Sequence, residues 1–505
     1  MNLNKSVTFY FWAGIAGLVY PLGFSPISFW PASIFSISLL YYLLQHPFIE
    51  KLSIKRWKLT ALFGFSMFAV GTSWIFVSIN QFGGASVFLA SIITIIFTLY
   101  LTVYPLLIGW GLDKSSVNAQ KRPYYFAALF IFLWLLSDGL RGWVFSGFPW
   151  LYLGYSAVNL PINGFAPLIG VHGLTLLLLV IAIAFSQIVF SKKWLPLTLI
   201  GTIFAVGFLL QQISWSTPVG PKKTLSLIQP NIPQDLKWEP NHLRNILHKL
   251  DKMTLVAKGG LVIWPESALP VFADNVANYL KSMAMRSRLK QQQIITGVPV
   301  RKTKNNRYFG AAMLLNPDNI LQSQTYLKRR LVPFGEYVPL ENTLRGIIKF
   351  FNLPMSGFSL GPDNQKALQI NGLSLGVAIC YEIAYPHLVY DQTRQSNVIL
   401  TISNDAWFGH SLGPWQHLEM ARMRAIETQL AVIRDTNNGI TAMINAKGQV
   451  EAMLPQFEAK TLETSFQPAV SHAPIQYYHF YAIFIIFLGL LLLVLRKNGY
   501  EQPRI

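Results

Sequence analysis

Charge is scarce in this chain, and acid is scarcer than base. Only 12% of the 505 residues are charged while 52% are hydrophobic, against roughly 25% charged in soluble domains. That balance excludes an ordinary water-soluble protein and places much of the chain in lipid. Asp and Glu number 22 against 41 Lys and Arg, for a formal charge of +19. Nucleic acid is the obvious partner for such an excess, but it needs a basic patch on a folded surface. Here the cations cluster in short loops between apolar runs, the pattern of membrane topology, so no nucleic-acid partner is expected. Cysteine is nearly missing: the one copy, Cys380, excludes an intramolecular disulfide and any multi-cysteine zinc or iron–sulfur centre. A lone cysteine is more commonly a small buried hydrophobe than a nucleophile, and only its surroundings can argue otherwise.

What the chain has in plenty is apolar length. A spanning helix needs about 20 mostly apolar residues, and runs of that kind lie near Thr8 to Gly23, Phe29 to Leu44, Trp57 to Ile79, Ser86 to Leu112, Tyr124 to Phe145, Phe165 to Phe190, Trp194 to Ile213 and Tyr478 to Leu495. Between Pro218 and Ala473 the chain turns polar, punctuated by Gly and Pro, with strand-like runs such as LVIWPE, IITGVPV, LSLGVAICYE and NVILTISND. The expected organisation is therefore transmembrane helices in residues 1–217, one soluble α/β domain in 218–473, and a last helix with its tail in 474–505. Lys51, Lys55, Arg56 and Lys58, then Lys114, Lys121 and Arg122, then Lys192 and Lys193 make alternate loops basic, as are Lys5 and the tail residues Arg496, Lys497 and Arg504. The positive-inside rule then puts both termini in the cytoplasm and the α/β domain outside it. No cleavable signal peptide is expected, because the first run lacks a small-residue cleavage site. Asp138 and Arg141 interrupt the fifth run at a spacing of three, where they can pair on a helix. A structural ion pair is favoured there over a substrate role. His172 reads as a helix-packing or interfacial residue.

Three segments of the polar span deliver a reactive group just after a β-rich run. In GGLVIWPESALP it is Glu266, and a half-buried carboxylate at a strand end suits general-base work. In TYLKRRLVPFGEYVP it is Lys328, with Glu336 eight residues on, and an ammonium can stabilise an oxyanion or depress a thiol pKa. In LSLGVAICYEIAYP it is Cys380, followed by Tyr381 and Glu382, where a sharp turn after a strand exposes a nucleophile beside backbone N–H groups. Each alone has an ordinary explanation: an exposed loop Glu, a solvated basic stretch, a buried strand Cys. Carboxylate, ammonium and thiol together, roughly sixty and then fifty residues apart, are far more specific. In HLEMARMRAIETQLAVI, Leu418, Ala421, Ala425 and Ile426 form an apolar stripe, so that segment reads as core packing. Asn404, Asp405, Asn437 and Asn438 read as turn organisers, and Trp407, Phe408 and Gly409 as a lid facing the membrane.

The motifs WPES, YLKRRLVPFGEYVP and ICYE resemble those of the nitrilase superfamily. With the flanking helices, NIPQDLKWEP, SNDAWFG, QHLEMARMRAIE and RDTNNGIT, the chain resembles the membrane branch of that superfamily, the apolipoprotein N-acyltransferases, over nearly its whole length. The resemblance implies a multi-domain membrane protein, an eight-helix transmembrane bundle carrying an αββα sandwich, in the bacterial inner membrane with its catalytic domain in the periplasm. It implies a catalytic Glu266, Lys328 and Cys380, support from Glu336, Tyr381 and Glu382, and substrate contact by Trp238, for which an interfacial aromatic anchor is an equal alternative. The implied activity moves an acyl chain from a phospholipid, through a thioester on Cys380, to the N-terminal amine of a diacylglyceryl apolipoprotein. No cofactor or metal is expected, and a monomer is. Both substrates are lipid-anchored, which accounts for the helices, and a phospholipid ester is already activated, which suits a compartment without ATP. Two rivals stay open: a membrane-tethered amidase or nitrilase that hydrolyses small amides, with water as acceptor, and a non-catalytic lipid- or lipoprotein-binding protein or transporter.

Overall fold

The computed structural model describes residues 2–115, 117–302, 307–333, 335–337, 357–479 and 489. Two compact units emerge, one of Met1–Ser73, Phe88–Ile213 and Tyr478–Ile505, the other of Trp74–Val87 and Ser214–Tyr477. Each of the first seven apolar runs is helical: Asn2–Val19, Trp30–Gln45, Arg56–Gly71, Val87–Lys114, Pro123–Arg141, Ala166–Ser191 and Pro196–Leu210. Proline opens four of them in the first turn, where its missing N–H and fixed φ cost nothing. Two buried serines bond to carbonyls of neighbouring helices, as lipid favours. Ser36 Oγ donates to the Ala16 carbonyl at 2.6 Å and Ser38 Oγ to that of Ala182 at 2.8 Å.

Length separates these helices. Four of the described segments, Lys5–Gly23, Val87–Lys114, Pro123–Ser146 and Pro161–Ser191, are long and apolar enough to cross a membrane. The helix over Trp30–Gln45 has 16 residues and that over Pro196–Leu210 has 15; at 1.5 Å per residue each reaches only about 24 Å, short of a hydrocarbon core of about 30 Å. The run from Trp57 to Ile79 is not one continuous helix: its helix stops at Gly71, and a second helical piece, Trp74–Phe82, belongs to the other unit. Counted as one broken span, it brings the number to five. The last run, Tyr478 to Leu495, lies almost wholly outside the described residues.

The fifth run keeps its charges together. Arg141 Nη2 meets Asp138 Oδ1 at 2.6 Å, with side chains 3% and 7% exposed. The guanidinium also bonds the Trp150 carbonyl and lies 4.8 Å from the centre of the Tyr152 ring, whose hydroxyl donates to the Asp138 carbonyl at 3.1 Å. His172 packs its ring 4.8 Å from the same tyrosine.

The second unit is a four-layer sandwich. One six-stranded sheet has the order β13-β2-β3-β4-β5-β6 and the other β12-β11-β10-β9-β8-β7. In the first, β2 is Lys223–Gln229, β3 Leu261–Ile263, β4 Gln293–Lys302, β5 Arg307–Leu314, β6 Gln324–Leu327 and β13 Lys460–Phe466. In the second, β7 is Leu368–Ile370, β8 Leu373–Ile379, β9 Val398–Ser403, β10 Val432–Thr436, β11 Ala442–Ile444 and β12 Val450–Met453. A short pair, β1 Ser216–Pro218 and β14 Ala469–Ser471, joins the two ends of the unit. Each sheet holds a parallel trio, β2-β3-β4 and β8-β9-β10, covered on both faces, so that even Arg434 and Asp435 of β10 are buried. Leu227, Ile263 and Ile295 of one sheet pack on Val377, Leu400 and Ile433 of the other in a shared core. Helices Leu243–Val256 and Ala277–Leu289 cover the first sheet, and Pro386–Thr393 and Gly413–Thr428 the second. Leu418, Ala421 and Ala425 pack there as the stripe predicts.

Breaking the buried pair in the fifth run should cost more than removing it. Arg141→Met leaves the Asp138 carboxylate buried without its cation, a loss of about 3–5 kcal/mol, whereas Asp138→Leu with Arg141→Met should recover most of it. Thermal unfolding in detergent micelles reads the difference; equal losses in both variants would show that the ion pair is not the stabilising feature.

Candidate active site

In parallel sheets reactive groups gather at the carboxyl ends of the strands, and here β3, β6, β8, β9 and β10 all end in one place. Three residues past β3 comes Glu266, directly past β6 Lys328, past β8 Cys380, past β9 Asn404 and past β10 Asn437. Lys328 Nζ donates to Glu266 Oε1 at 2.7 Å and to Glu336 Oε1 at 2.8 Å. The three are buried at 1%, 8% and 6% exposure. The second oxygen of each carboxylate is held by backbone: Asn404 N–H donates to Glu266 Oε2 at 2.9 Å, and Val332 N–H to Glu336 Oε2 at 2.8 Å. Gly297 of β4 makes room for the loop that carries Glu266, since a Cβ there would lie 2.3 Å from the Pro265 carbonyl and 2.6 Å from Glu266 Cα.

Cys380 begins a tight turn, Cys380–Ala384, with φ at +52°, a left-handed conformation that an L-residue rarely adopts. Such a residue costs on the order of 1–2 kcal/mol and survives only where its surroundings over-determine it. Glu382 supplies part of that constraint. Its carboxylate accepts from Ile379 N–H at 2.7 Å, Arg329 N–H at 2.5 Å, Arg330 N–H at 3.2 Å and the Tyr326 hydroxyl at 3.1 Å. One side chain thus ties the cysteine turn to the loop that presents Lys328. Tyr381 packs edge-on against Tyr385, ring centres 5.2 Å apart.

Electrostatics assigns each group a resting state. Burial works against a charged Lys328, but the carboxylates of Glu266 and Glu336 overcome it and hold its pKa well above the ordinary lysine range. The Glu336 carboxyl is raised by burial, against the pull of Lys328. Burial and then the charge of Glu266 raise the Cys380 thiol well above its usual value, with Lys328 opposing. A thiol so placed rests protonated, so its attack needs a base that takes the proton in the same step. A carboxylate, a permanent ammonium and a protonated thiol on a turn form a set suited to covalent acyl transfer.

The sequence pattern leaves Lys237 unmarked and reads Asn404 and Asp405 only as turn organisers. Asn404 is no mere turn residue: its backbone grips Glu266 while its side chain donates to Gln234 Oε1 at 2.8 Å and accepts from Asn437 Nδ2 at 3.1 Å. Asp405 is buried and bonded to His417 and Arg434. The place of Asn404 right after a strand, as for Lys328 and Cys380, is the signal that marks it. Lys237, fully buried, donates to the Glu266 carbonyl at 3.3 Å, and burial lowers its pKa to about 8 against a smaller opposing effect of Glu266. Trp238 beside it is half-buried, and its indole N–H meets no acceptor among the described residues. No hydrogen bond joins it to Glu266, Lys328 or Cys380. Trp407 and Phe408 are not a free lid: Ser78 Oγ donates to the Trp407 carbonyl at 2.7 Å and Trp74 packs edge-on to Phe408 at 4.7 Å. Gly409 is required there, with φ +52° and ψ −149° and Val77 Cγ1 only 3.0 Å from where a Cβ would stand.

This fold with this cluster defines the carbon–nitrogen hydrolase class, and residues 224–473 match that family. Residues 16–184 match the N-terminal domain of apolipoprotein N-acyltransferase. The apolipoprotein N-acyltransferase of Vibrio cholerae is 40% identical over 475 residues, covering 92% of this chain and 92% of its own. That of Azotobacter vinelandii is 39% identical over 472 residues, covering 91% of this chain and 89% of its own. The chain belongs to the apolipoprotein N-acyltransferase family.

Lys237 offers a pH test of the buried charges. Folded, it releases its proton near pH 8, whereas a free lysine holds it to 10.5; between these values the unfolded chain binds more protons, so this group's contribution to stability rises with pH. Lys237→Met should therefore raise the thermal midpoint at pH 7, and the gain should shrink toward about pH 10. A loss at pH 7, or a gain that does not change with pH, contradicts the assignment.

Proposed function

We propose that this chain takes an acyl group from a phospholipid onto Cys380 as a thioester and passes it to the N-terminal amine of a diacylglyceryl-cysteine on an apolipoprotein. The observation that carries the reading is the Lys328 ammonium fixed between Glu266 and Glu336, at 2.7 and 2.8 Å, in the charge field of the Cys380 thiol. In the first half-reaction Glu266 takes the thiol proton as sulfur attacks the ester carbonyl. Lys328 and backbone N–H groups of the cysteine turn stabilise the tetrahedral oxyanion. The C–O bond breaks, the departing lysophospholipid oxygen receives the proton from Glu266, and a thioester remains. In the second half the amine attacks that thioester, gives a proton to Glu266, and the C–S bond breaks as Glu266 returns the proton to sulfur. The balance is an ester exchanged for an amide, with no cofactor consumed. Glu336 holds Lys328 charged, Glu382 and Tyr381 shape the turn, and Trp238 lines the path of a substrate.

The topology that serves this reaction has eight spans, the last in the C-terminal segment, both termini in the cytoplasm, and residues 218–473 in the periplasm of a bacterial inner membrane. Supporting it are the basic loops on one side and the lipid anchors of both substrates, each buried CH₂ contributing about 0.8 kcal/mol. A monomer suffices, because every group in the mechanism comes from one chain.

Intact-mass analysis after incubation with phospholipid tests the proposal. The wild type should gain one hydroxylamine-sensitive acyl mass, Cys380→Ala none, and Glu266→Gln should acylate about a hundredfold or more slowly. Adding a diacylglyceryl peptide should clear the adduct with acylation of the peptide amine. Release of free fatty acid without peptide acylation would favour a hydrolase instead.

A further inference from the structure

One buried charge cluster has no part in the mechanism above. His417, on the helix Gly413–Thr428, points its Nε2 at the carbonyl of Cys380 itself, 3.0 Å away. Its Nδ1 lies 3.1 Å from Asp405 Oδ1 and 3.2 Å from Arg434 Nη2. Arg434 closes the set, with Nη2 on Asp405 Oδ2 at 2.5 Å and Nε donating to the Ile440 carbonyl at 3.1 Å. The three side chains are at most 1% exposed and come from the helix, the turn after β9 and strand β10. The Phe408 ring stands edge-on to the imidazole at 6.3 Å.

We propose that His417 is a positioning residue for the nucleophile: clamped by Asp405 and Arg434, it fixes the peptide unit between Cys380 and Tyr381 and so holds the thiol toward Glu266 and Lys328. A carbonyl oxygen only accepts, so Nε2 carries hydrogen whether the ring is neutral or charged, and the bond to Cys380 survives either state. The peptide unit is a rigid trans plane. Anchoring its C=O therefore aims the Tyr381 N–H the opposite way, and a donor one residue past a nucleophile is placed to meet an oxyanion. Hydrogen bonding to the C=O also polarises that N–H. The left-handed backbone of Cys380, φ +52°, is held from one side by Glu382 and from the other by this ring. A cluster serving stability alone would do as well ending on any buried carbonyl; this one ends on the residue that carries the thiol.

The full chain in detergent micelles, as wild type, His417→Leu and His417→Gln, tests the inference with two readouts. Gln can still donate an N–H to the Cys380 carbonyl, and Leu cannot. Alkylation of Cys380 by iodoacetamide against pH does not depend on the acyl-transfer reading; the groups acting on the thiol are Glu266, Lys328, Asp405 and Glu336, and those facing the imidazole are Asp405 and Arg434. The half-alkylation pH should shift by about one unit in His417→Leu, because the thiol leaves the charge field of Glu266 and Lys328, and return toward wild type in His417→Gln. Single-turnover acylation by phospholipid, which rests on that reading, should slow about a hundredfold in His417→Leu with donor KM within about twofold, and His417→Gln should restore most of it. An unchanged alkylation profile in His417→Leu, or Gln behaving as Leu does, overturns the proposal. A wild type that alkylates normally but takes no acyl group overturns the acyl-transfer reading alone. Should His417→Leu not fold, the single cysteine allows a test on wild type: a carbonyl-¹³C label on cysteine reports Cys380 alone, and dipolar coupling to ¹⁵N-labelled histidine should give a separation of about 4 Å. No measurable coupling would overturn it.

Discussion

The geometry of the second unit converges on one ammonium shared by two carboxylates. Lys328 is 1% exposed, and a cation so deep survives only with anions in hydrogen-bond contact. Glu266 and Glu336 supply them at 2.7 and 2.8 Å, and each carboxylate spends its other oxygen on a backbone N–H. The result is a group that neither gains nor loses a proton near neutral pH, with a base beside it whose two oxygens are already fixed in space. Charge is thereby preorganised before any substrate arrives, which is where catalysis in a dry site obtains most of its advantage.

The thiol depends on that arrangement in a different way. Burial and neighbouring carboxylates keep Cys380 protonated, so the proposed reaction relies on proximity to a base and not on a standing thiolate. The protein maintains that proximity through the backbone. A left-handed residue at the end of β8 is unfavourable by itself, and Glu382 on one side and His417 on the other determine where its carbonyl and neighbouring N–H groups lie. Two buried carboxylates, Glu382 and Asp405, thus act at a distance from the chemistry, one by stapling the Lys328 loop to the cysteine turn and one by orienting an imidazole. The Asp405 carboxyl is itself pushed up by burial and more than brought back by Arg434 and His417, which leave it below the usual carboxylate range.

The sequence by itself determined the strands that deliver Glu266, Lys328 and Cys380, because apolar β-rich runs ending at a single reactive residue are a local pattern. It likewise determined the helical character of the seven apolar runs and, through one cysteine in 505 residues, the only thiol available. Tertiary structure decided the rest. A hydropathy window could not see the break at Thr72 and Ser73, since Trp74 and Ser78 leave the run to pack on Phe408 and Trp407, more than three hundred residues away in sequence. Nor could periodicity find Asn404, Lys237 or His417: an asparagine after a strand reads as a turn, a lysine as solvated, and a histidine on an apolar helix as packing. Each acquires its role from a partner 29, 37 or 138 residues distant. The physical reason is that hydrophobic pattern is written along the chain, whereas the partner of a buried polar group is chosen only when the two sheets close on each other.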